Sequence, residues 1–476
     1  MKTVETYAPD TAGADIDRIF EKQTAHQYSV AQTTASQRRA KLKALQNLVF
    51  KYRDEIKEAI NLDLKKHPSE TDLNEVLPLV KEIKHTRKHL SRWMRKETVD
   101  TPLALLGSSS YIHYEPKGVC LVIAPWNFPF ILLMGPLVSA LAAGNTVILK
   151  PSEMTPRTSE LIAKMIPELF VEEEVAVVQG GVDTSQHLLS LKFNHIFFTG
   201  SPKVGKIVMA AAAEHLTSVT LELGGKSPTI VDETVNLDIA ARRITWGKYL
   251  NNGQVCIAPD HVYVHESVKD QFVEKLKQRI KAEFGEDEQE STSYSRIVNN
   301  KHFGRINNLL ADAILKGAIL EYGGQTDEAD NYIKPTILSN VPTDAEIMSE
   351  EIFGPILPII SFNSIDDVIT QINNSEKPLA LYIYSKSRKN IKTLLNGTRA
   401  GGTAINHNII HFFNQNLPFG GVNNSGIGKS NGIYGFKAFS NERSVVHQKL
   451  PSAVDLLMPP YTGWKQKLID LVVKWL

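Results

Sequence analysis

The chain has little cysteine and no excess of either charge. Its two cysteines, Cys120 and Cys256, are too few for a disulfide framework and favour a reducing compartment such as the cytoplasm. No cluster of cysteine and histidine has metal-ligand spacing, so we expect no metal site. The 53 basic and 52 acidic side chains are balanced, which gives no reason to expect nucleic acid as a partner. The first six residues lack the apolar core of a signal peptide.

Two common phosphate-binding signatures are also missing. The full GxGxxG fingerprint of dinucleotide-binding folds does not occur in the sequence. The Gly-Lys-Ser segments that begin at Gly225 and Gly428 have Thr220 and Asn423 where a P-loop requires its first glycine. A nucleoside triphosphatase is therefore disfavoured.

Residues 118–149 contain no charged side chain, a length that could suggest a membrane span. Proline, asparagine and glycine interrupt this stretch, and its pattern instead predicts a strand (118–124), a helix (131–143) and a strand (146–150). Such a βαβ unit is buried on all sides, which explains the missing charges. Cys120 falls in the first strand, and we interpret it as a core residue.

Strands and helices alternate along the rest of the chain, after an amphipathic helical region at 35–95. This alternation predicts an α/β fold with mostly parallel, doubly wound sheets. The acidic segment 285–295 is expected to be a solvated loop. The predicted helices lie at 157–169, 185–191, 202–214, 237–250, 268–284, 299–316 and 365–375. The predicted strands lie at 175–178, 195–198, 218–223, 261–265, 356–362, 380–385 and 402–405.

The surroundings of Cys256 and Glu222 suggest covalent catalysis with a built-in base. Cys256 follows Asn-Asn-Gly-Gln-Val after a predicted helix, and Glu222 precedes a Gly-Gly turn. A thiolate is a strong nucleophile, and a glutamate can activate water to release what the sulfur has captured. A lone cysteine is usually a buried apolar residue, but flanking glycine and amide residues are atypical of a core helix.

Other segments fit a nucleotide or an oxyanion. Gly200 and Ser201 lie where a strand turns into a helix, whose amino terminus attracts phosphate. Lys150 and Glu153 follow another strand and could hydrogen-bond a ribose diol. Asn127, in a turn made rigid by two prolines, could donate to a developing oxyanion. Ordinary turn packing and solvated surface charge are the alternatives for these residues.

Together and in this order, the motifs closely resemble the aldehyde dehydrogenase superfamily over residues 35–444. The matching segments are 125–129, 150–153, 198–201, 222–228, 253–256, 351–355 and 418–421. The short amino-terminal extension and the segment 246–249 are similar to the dimeric class 3 branch, which includes fatty and aromatic aldehyde dehydrogenases. The resemblance implies an NAD(P)-dependent homodimer that oxidises aldehydes to carboxylic acids. A CoA-acylating reductase and a catalytically silent binding relative are the alternatives.

The resemblance also implies a role for each catalytic residue. Cys256 would attack the aldehyde, and the Asn127 side chain with the backbone N–H of Cys256 would hold the oxyanion. Glu222 would activate the water that hydrolyses the thioester. Because CoA-acylating relatives generally lack this glutamate, its presence favours hydrolysis.

For the cofactor, the resemblance places Lys150 and Glu153 at the adenine ribose. A carboxylate there would repel a 2′-phosphate and favours NAD, although the dimeric branch often tolerates NADP. The pyrophosphate turn would be formed by Gly200, Ser201 and Gly205. Glu351 would bind the nicotinamide ribose, and the Phe353 ring would pack near the nicotinamide. An apolar substrate tunnel would be lined by Trp126, Phe128 and Trp246, for which core packing is the alternative.

The resemblance further divides the chain into domains. Residues 1–97 and 115–224 would form a Rossmann-like cofactor domain, and residues 225–415 the catalytic domain. Residues 98–114 and 416–460 would form a small β arm for oligomerisation and bridging. The tail, 461–476, is an amphipathic helix too short to span a bilayer; it could pack on a partner subunit, cover the tunnel mouth or touch a membrane surface.

Overall fold

The computed structural model describes residues 10–475, so the expectation for the first six residues lies outside the described range, as does the last residue of the tail. The helices are Gly13–Ala31 (α1), Ala35–Lys51 (α2), Arg53–Leu64 (α3), Pro68–Thr71 (α4), Leu77–Trp93 (α5), Ile131–Ala143 (α6), Pro156–Met165 (α7), Val182–Ser190 (α8), Pro202–Glu214 (α9), Leu237–Tyr249 (α10), Lys269–Phe284 (α11), Asn300–Leu315 (α12), Glu346–Ser349 (α13), Ile365–Asn373 (α14), Arg388–Gly397 (α15), Gly432–Ala438 (α16) and Gly463–Trp475 (α17). The strands are Glu97–Val99 (β1), Ser108–Pro116 (β2), Val119–Ile123 (β3), Thr146–Lys150 (β4), Val175–Val177 (β5), His195–Gly200 (β6), Ser218–Leu223 (β7), Pro228–Val231 (β8), His261–His265 (β9), Ile319–Tyr322 (β10), Thr326–Asp327 (β11), Tyr332–Ile333 (β12), Thr336–Ser339 (β13), Ile356–Phe362 (β14), Ala380–Tyr384 (β15), Gly402–Ile405 (β16), Gly426–Ile427 (β17) and Ser440–Gln448 (β18).

Two mostly parallel sheets dominate the structure, which confirms the predicted α/β class. In the first sheet the strand order is β17-β7-β6-β3-β4-β5, and only its edge strand β17 is antiparallel to its neighbour. In the second sheet the order is β10-β13-β14-β9-β8-β15-β16, and only its edge strand β10 runs antiparallel. Connections through helices place successive strands parallel, as doubly wound folds require.

The charge-free stretch forms the predicted βαβ unit at the centre of the first sheet. Strands β3 and β4 are buried at every position, and α6 between them packs beneath α2, α5 and α16. Cys120 is fully buried in β3, as expected. The register pairs Ile123 with Lys150 at the carboxyl ends of these two strands, so the turn after β3 lies beside the end of β4.

A small antiparallel sheet forms the predicted arm. Strand β2 lies at its centre and pairs with β1 on one side and with β18 on the other. The expected arm segment 98–114 thus supplies strands, and the segment 416–460 supplies both β18 and β17, which joins the first sheet. The division into domains and the role of this arm in oligomerisation stay predictions.

The acidic segment 285–295 is a loop that is largely exposed, as predicted, but Glu288, Tyr294 and Ser295 within it are buried. Glu288 is 1% exposed; it accepts a hydrogen bond from the Tyr322 hydroxyl and pairs with Lys334 at 3.2 Å. Tyr294 is buried and donates to the carbonyl of Ile333 at 2.8 Å. A buried carboxylate is stable there because it has both a hydroxyl and a cationic partner. Helices α1 and α15 and strands β10 and β13 were not predicted.

The tail forms a helix, α17, that contacts the 3₁₀ turn Ala453–Leu457. Several of its apolar side chains face solvent: Trp464 is 57%, Leu471 56% and Val473 80% exposed. Across residues 10–475, every helix falls short of the length and apolar character that crossing a bilayer requires.

Candidate active site

The carboxyl edge of the first sheet gathers most of the predicted site residues. Asn127 follows β3, Lys150 ends β4, Gly200 ends β6 and Glu222 lies near the end of β7. Parallel register brings them to one edge, with Thr199 of β6 opposite Glu222. Open α/β sheets bind ligands at this edge.

The loop that carries Cys256 (residues 251–256) reverses direction sharply after α10. Asn251, Asn252 and Gly253 adopt φ angles of +47°, +57° and +75° in succession. A Cβ at Gly253 would lie 2.3 Å from the carbonyl oxygen of Gly354, so glycine is needed both for its conformation and for its space. The Gln254 side chain holds the turn through bonds to the backbone of Asn251, Arg296 and Val298. This loop delivers Cys256 to the wall of a cavity.

The Cys256 side chain is a half-buried free thiol. Burial, together with the nearby carboxylates of Glu351 and Glu222, raises its pKa to about 12, while the backbone N–H groups of Cys256 and Ile257 act in the opposite direction. The thiol form is therefore favoured until a base, a cation or a substrate offsets the surrounding negative charge. Those N–H groups lie next to the sulfur, where an oxygen on an attacked carbon would need donors.

Glu222 is buried on β7 and borders the same cavity as Cys256. Its Oε1 accepts a hydrogen bond from Ser430 Oγ at 2.9 Å, while its Oε2 is buried without a partner among the described residues. Burial raises the pKa of Glu222 to about 8, although the bond from Ser430 and the charge of Lys429 oppose that rise. A carboxyl group with a pKa near neutrality and one unpaired oxygen is suited to general-base catalysis.

Asn127 is buried in the turn between β3 and α6. Its Nδ2 donates to the carbonyl of Gln254 at 2.9 Å, which ties it to the loop 251–256. An amide nitrogen has two N–H donors, so one remains for another acceptor. The geometry thus joins Asn127 to the loop of Cys256.

The cavity beside these residues has mostly apolar walls, and its empty space is about 1100 Å³ when the solvent at its open mouth is included. Cys256 and Glu222 are joined in its lining by Asn74, Pro78, Glu82, Phe128, Ile131, Leu132, Gly135, Pro136, Ser139, Phe197, Thr199, Leu250, Val255, Ile257, Leu379, Ile409, Phe412, Phe413, Gln415, Phe419, Ser430 and Asn431. A thiol and a carboxyl group at the wall of an apolar cavity suit a hydrophobic molecule with one reactive polar end.

Of the three aromatic residues expected at the tunnel, only Phe128 belongs to this lining. The ring of Trp126 instead packs against Phe353 and His302, with centroids at 5.3 and 5.0 Å. Trp246 packs edge-on against His407 at 5.9 Å. Trp126 and Phe128, two positions apart in the turn, point to different sides, so Phe128 reaches the cavity while Trp126 packs on the loop of Phe353.

The expected cofactor residues lie along the same edge. Ser201 caps the amino terminus of α9, accepting from the N–H of Val204 at 3.4 Å, and Gly205 of that helix packs on Leu223. Lys150 is buried and pairs with Glu153 at 3.3 Å; burial lowers the pKa of Lys150 despite that pairing. A helix amino terminus beside a lysine and a carboxylate offers donors for phosphates and acceptors for hydroxyls.

Glu351 and Phe353 lie on a loop whose backbone is held by Arg305. The Glu351 carboxyl lies against the backbone of Gly224, where a Cβ would be 2.2 Å from its Oε2, and burial raises the pKa of Glu351 to about 8. Phe353 has φ of +47°, which is strained for a residue with a side chain. Arg305 donates to the carbonyls of Glu351 and Ile352 at 3.1 and 2.7 Å. The loop is thus fixed close to Cys256.

Sequence reasoning missed Ser430 and most of the cavity wall. Ser430 lies in a glycine-rich segment that was considered only as a P-loop. Phe412 and Phe413 form an aromatic pair between polar residues shortly after a strand, a signal that could have marked a pocket. The α6 residues of the wall are indistinguishable in sequence from those that face the core.

Comparison with known proteins identifies the family. The sequence pattern of the aldehyde dehydrogenase family matches residues 2–445. The 4,4'-diaponeurosporen-aldehyde dehydrogenase of Staphylococcus aureus is 44% identical over 426 residues, 90% of this chain and 92% of that protein. The dimeric NADP-preferring aldehyde dehydrogenase of Mus musculus is 44% identical over 409 residues, 86% of this chain and 89% of that protein. The solved structure of Staphylococcus aureus AldH in a substrate-bound state has a TM-score of 0.92 and 43% identity, covering 96% of this chain and 99% of that chain.

A fold of two doubly wound sheets with a thiol and a buried carboxyl group at one cavity is typical of an enzyme. The chain belongs to the aldehyde dehydrogenase family, and it is an oxidoreductase that acts on aldehydes. The predicted family is thereby confirmed. Members of this family use NAD or NADP.

Proposed function

We propose that the protein oxidises medium- or long-chain aliphatic aldehydes, or aromatic ones, to carboxylic acids with NAD as the preferred cofactor and NADP as a substitute. The observation that carries this proposal is that Cys256 and Glu222 border one large, mostly apolar cavity. The Staphylococcus aureus relative is named for a 4,4'-diaponeurosporen-aldehyde, a name that agrees with an apolar substrate. Trp126 and Trp246 lie outside the cavity wall, so we assign its aromatic lining to Phe128, Phe412 and Phe419.

In this proposal the Cys256 thiolate adds to the aldehyde carbon, and the carbonyl π bond opens to give a thiohemiacetal oxyanion. The free N–H of Asn127 and the backbone N–H of Cys256 hold the oxyanion. A nicotinamide held by Glu351 and Phe353 would supply the hydride acceptor for the tetrahedral carbon, and Cys256 would then carry a thioester. Glu222 takes a proton from water, the hydroxide adds to the thioester carbon, and the carbon–sulfur bond breaks to release the acid.

The described residues fit a nicotinamide dinucleotide at the sheet edge. The capped amino terminus of α9 with Gly200 and Ser201 would take the pyrophosphate. Lys150 and Glu153 would hold the adenine ribose, and the Glu153 carboxylate would repel a 2′-phosphate, which supports NAD. Glu351 would bind the nicotinamide ribose, and the Phe353 side chain would pack near the nicotinamide ring.

We further propose a cytoplasmic homodimer, since both cysteines are free thiols and the mouse relative is named as dimeric. The arm would join the subunits, because β18 leaves an open strand edge with exposed side chains such as Val446. The tail would pack on the partner beside this arm, since α17 contacts the turn Ala453–Leu457 next to it. Light scattering of the full chain tests whether it is a dimer, and light scattering of a chain that ends at residue 460 tests whether the tail contributes to that dimer. Binding of the full chain to lipid vesicles would instead assign the tail to a membrane.

The activity is tested by nicotinamide reduction with NAD and with NADP, over aldehydes from acetaldehyde to hexadecanal and with benzaldehyde. We expect KM to fall by roughly fourfold per added methylene over the short chains, because a buried CH2 contributes about 0.8 kcal/mol. Stimulation by coenzyme A would favour the acylating alternative. A folded protein with free Cys256 that reduces no cofactor would contradict the proposal and favour a binding role.

A further inference from the structure

Lys66 and Glu75 form a fully buried ion pair close to the proposed oxyanion residue. Their side chains are 0% exposed and 2.9 Å apart. Lys66 follows α3, and Glu75 lies in a π-helical turn, Asp72–Val76, that separates α4 from α5. Burying two charges is costly, and π-helical turns occur frequently at functional sites. Because the pair is costly to bury, we expect it to have a role beyond stability.

The remaining bonds of the pair all go to one turn. Lys66 Nζ donates to the carbonyl oxygen of Asn127 at 3.0 Å and lies 4.2 Å above the ring of Phe128. Glu75 Oε2 accepts from the N–H groups of Phe130 and Ile131 at 2.9 and 3.3 Å. The pair therefore fixes the start and the end of the turn that carries Asn127.

The carbonyl of Asn127 also connects this pair to the Cys256 loop. It accepts a second bond, at 2.8 Å, from Nδ2 of Asn251. Asn251 in turn donates its backbone N–H to Glu70 Oε1 at 3.0 Å. A carbonyl with two donors cannot rotate freely, so the peptide plane of Asn127, and with it the direction of its side chain, is held by Lys66 from one side and by the Cys256 loop from the other.

We propose that Lys66 and Glu75 are positioning residues that orient Asn127 for oxyanion binding. Lys66 holds the Asn127 carbonyl, and Glu75 both neutralises Lys66 and anchors the N–H groups at the start of α6. This inference rests on the proposed function, specifically on Asn127 as an oxyanion donor.

The test is a double-mutant cycle between the pair and Asn127, with the full-length enzyme and saturating NAD. Lys66→Met/Glu75→Gln removes both charges together, so no unpaired ion is left buried, and glutamine keeps an acceptor for Phe130 and Ile131. We expect kcat to fall roughly 10- to 100-fold, somewhat less than for loss of an oxyanion donor, with an unchanged dissociation constant for NAD. The control is Lys281→Met/Glu286→Gln, an exposed lysine–glutamate pair that is also 2.9 Å apart but lies away from the site, which should leave kcat unchanged.

In the Asn127→Ala background, Lys66→Met/Glu75→Gln should lower kcat no further, because the pair acts through Asn127. Independent losses that multiply would show that the pair only stabilises the fold, and would overturn the inference. Full activity of Asn127→Ala would instead refute Asn127 as a donor, which is a failure of the proposed function. If the double variant does not fold, Lys66→Arg is measured in the same cycle; it must lower kcat only when Asn127 is present, and any other result overturns the inference.

Discussion

Ser430 Oγ lies 2.9 Å from Glu222 Oε1 and fixes one oxygen of a buried carboxyl group whose other oxygen has no partner among the described residues. The two residues are 208 positions apart in the chain. Because Ser430 donates, its bond stabilises the ionised form of Glu222, and the charge of Lys429 does the same. Burial prevails, however, and leaves the pKa of Glu222 at about 8.

We therefore expect Ser430→Ala to move the rate profile to higher pH. Loss of the donor raises the pKa of Glu222 further, so a smaller fraction is ionised at pH 7 and deacylation slows there by roughly tenfold, as a hydrogen bond to a charged group contributes about 1.5 kcal/mol or more. At pH well above the new pKa the rate should recover. The measurement is kcat from pH 6 to 10; Ser440→Ala, which removes a buried hydroxyl bonded to Phe436, is the control. An unchanged profile would mean that Glu222 does not limit turnover.

Glu222→Gln separates the two halves of the reaction. Without a base, the thioester forms but is hydrolysed slowly, so a burst of reduced cofactor should remain while steady turnover falls by about 10²-fold or more. Rapid-mixing absorbance measures both phases. Loss of the burst together with turnover would instead place Glu222 in activation of the thiol.

Gly253→Ala should damage both stability and the Cys256 loop. The new Cβ would lie 2.3 Å from the carbonyl oxygen of Gly354, and the alanine backbone would have to adopt a φ of +75°. Strain of this kind costs about 1–3 kcal/mol before the clash is added, so we expect a lower free energy of unfolding and a slower burst. The control is Gly304→Ala in α12, where no atom lies within 4 Å and alanine should stabilise the helix by up to about 1 kcal/mol. Denaturant titration compares them; equal effects would contradict the strain argument.

The fold was predictable because its core leaves a clear pattern in the sequence. A βαβ unit that is buried on all sides contains no charge, and this absence identified β3, α6 and β4. The roles proposed for Cys256 and Glu222 follow from motifs, since glycine and amide residues beside a cysteine are atypical of a core.

The supporting residues of the site were not predictable in this way. Lys66 and Glu75 occur in a region rich in exposed charge, so nothing local distinguishes a buried pair from a solvated one. Glu288 was assigned to solvent for the same reason. Nothing in the sequence of the turn indicates that Trp126 packs on Phe353 and His302 and does not line the cavity.

Phe412→Ala should weaken binding of long aldehydes more than short ones. The Phe412 ring lines the cavity and packs edge-on against Phe419, with centroids 5.0 Å apart. Its loss removes apolar contact that contributes about 1.5–3 kcal/mol, so KM for decanal should rise roughly 10- to 100-fold, whereas KM for propanal should change little. The comparison variant is Trp246→Phe, since Trp246 lies outside the lining and its replacement should leave the dependence on chain length intact. If Trp246→Phe flattens that dependence and Phe412→Ala does not, the substrate chain occupies a different path from this cavity.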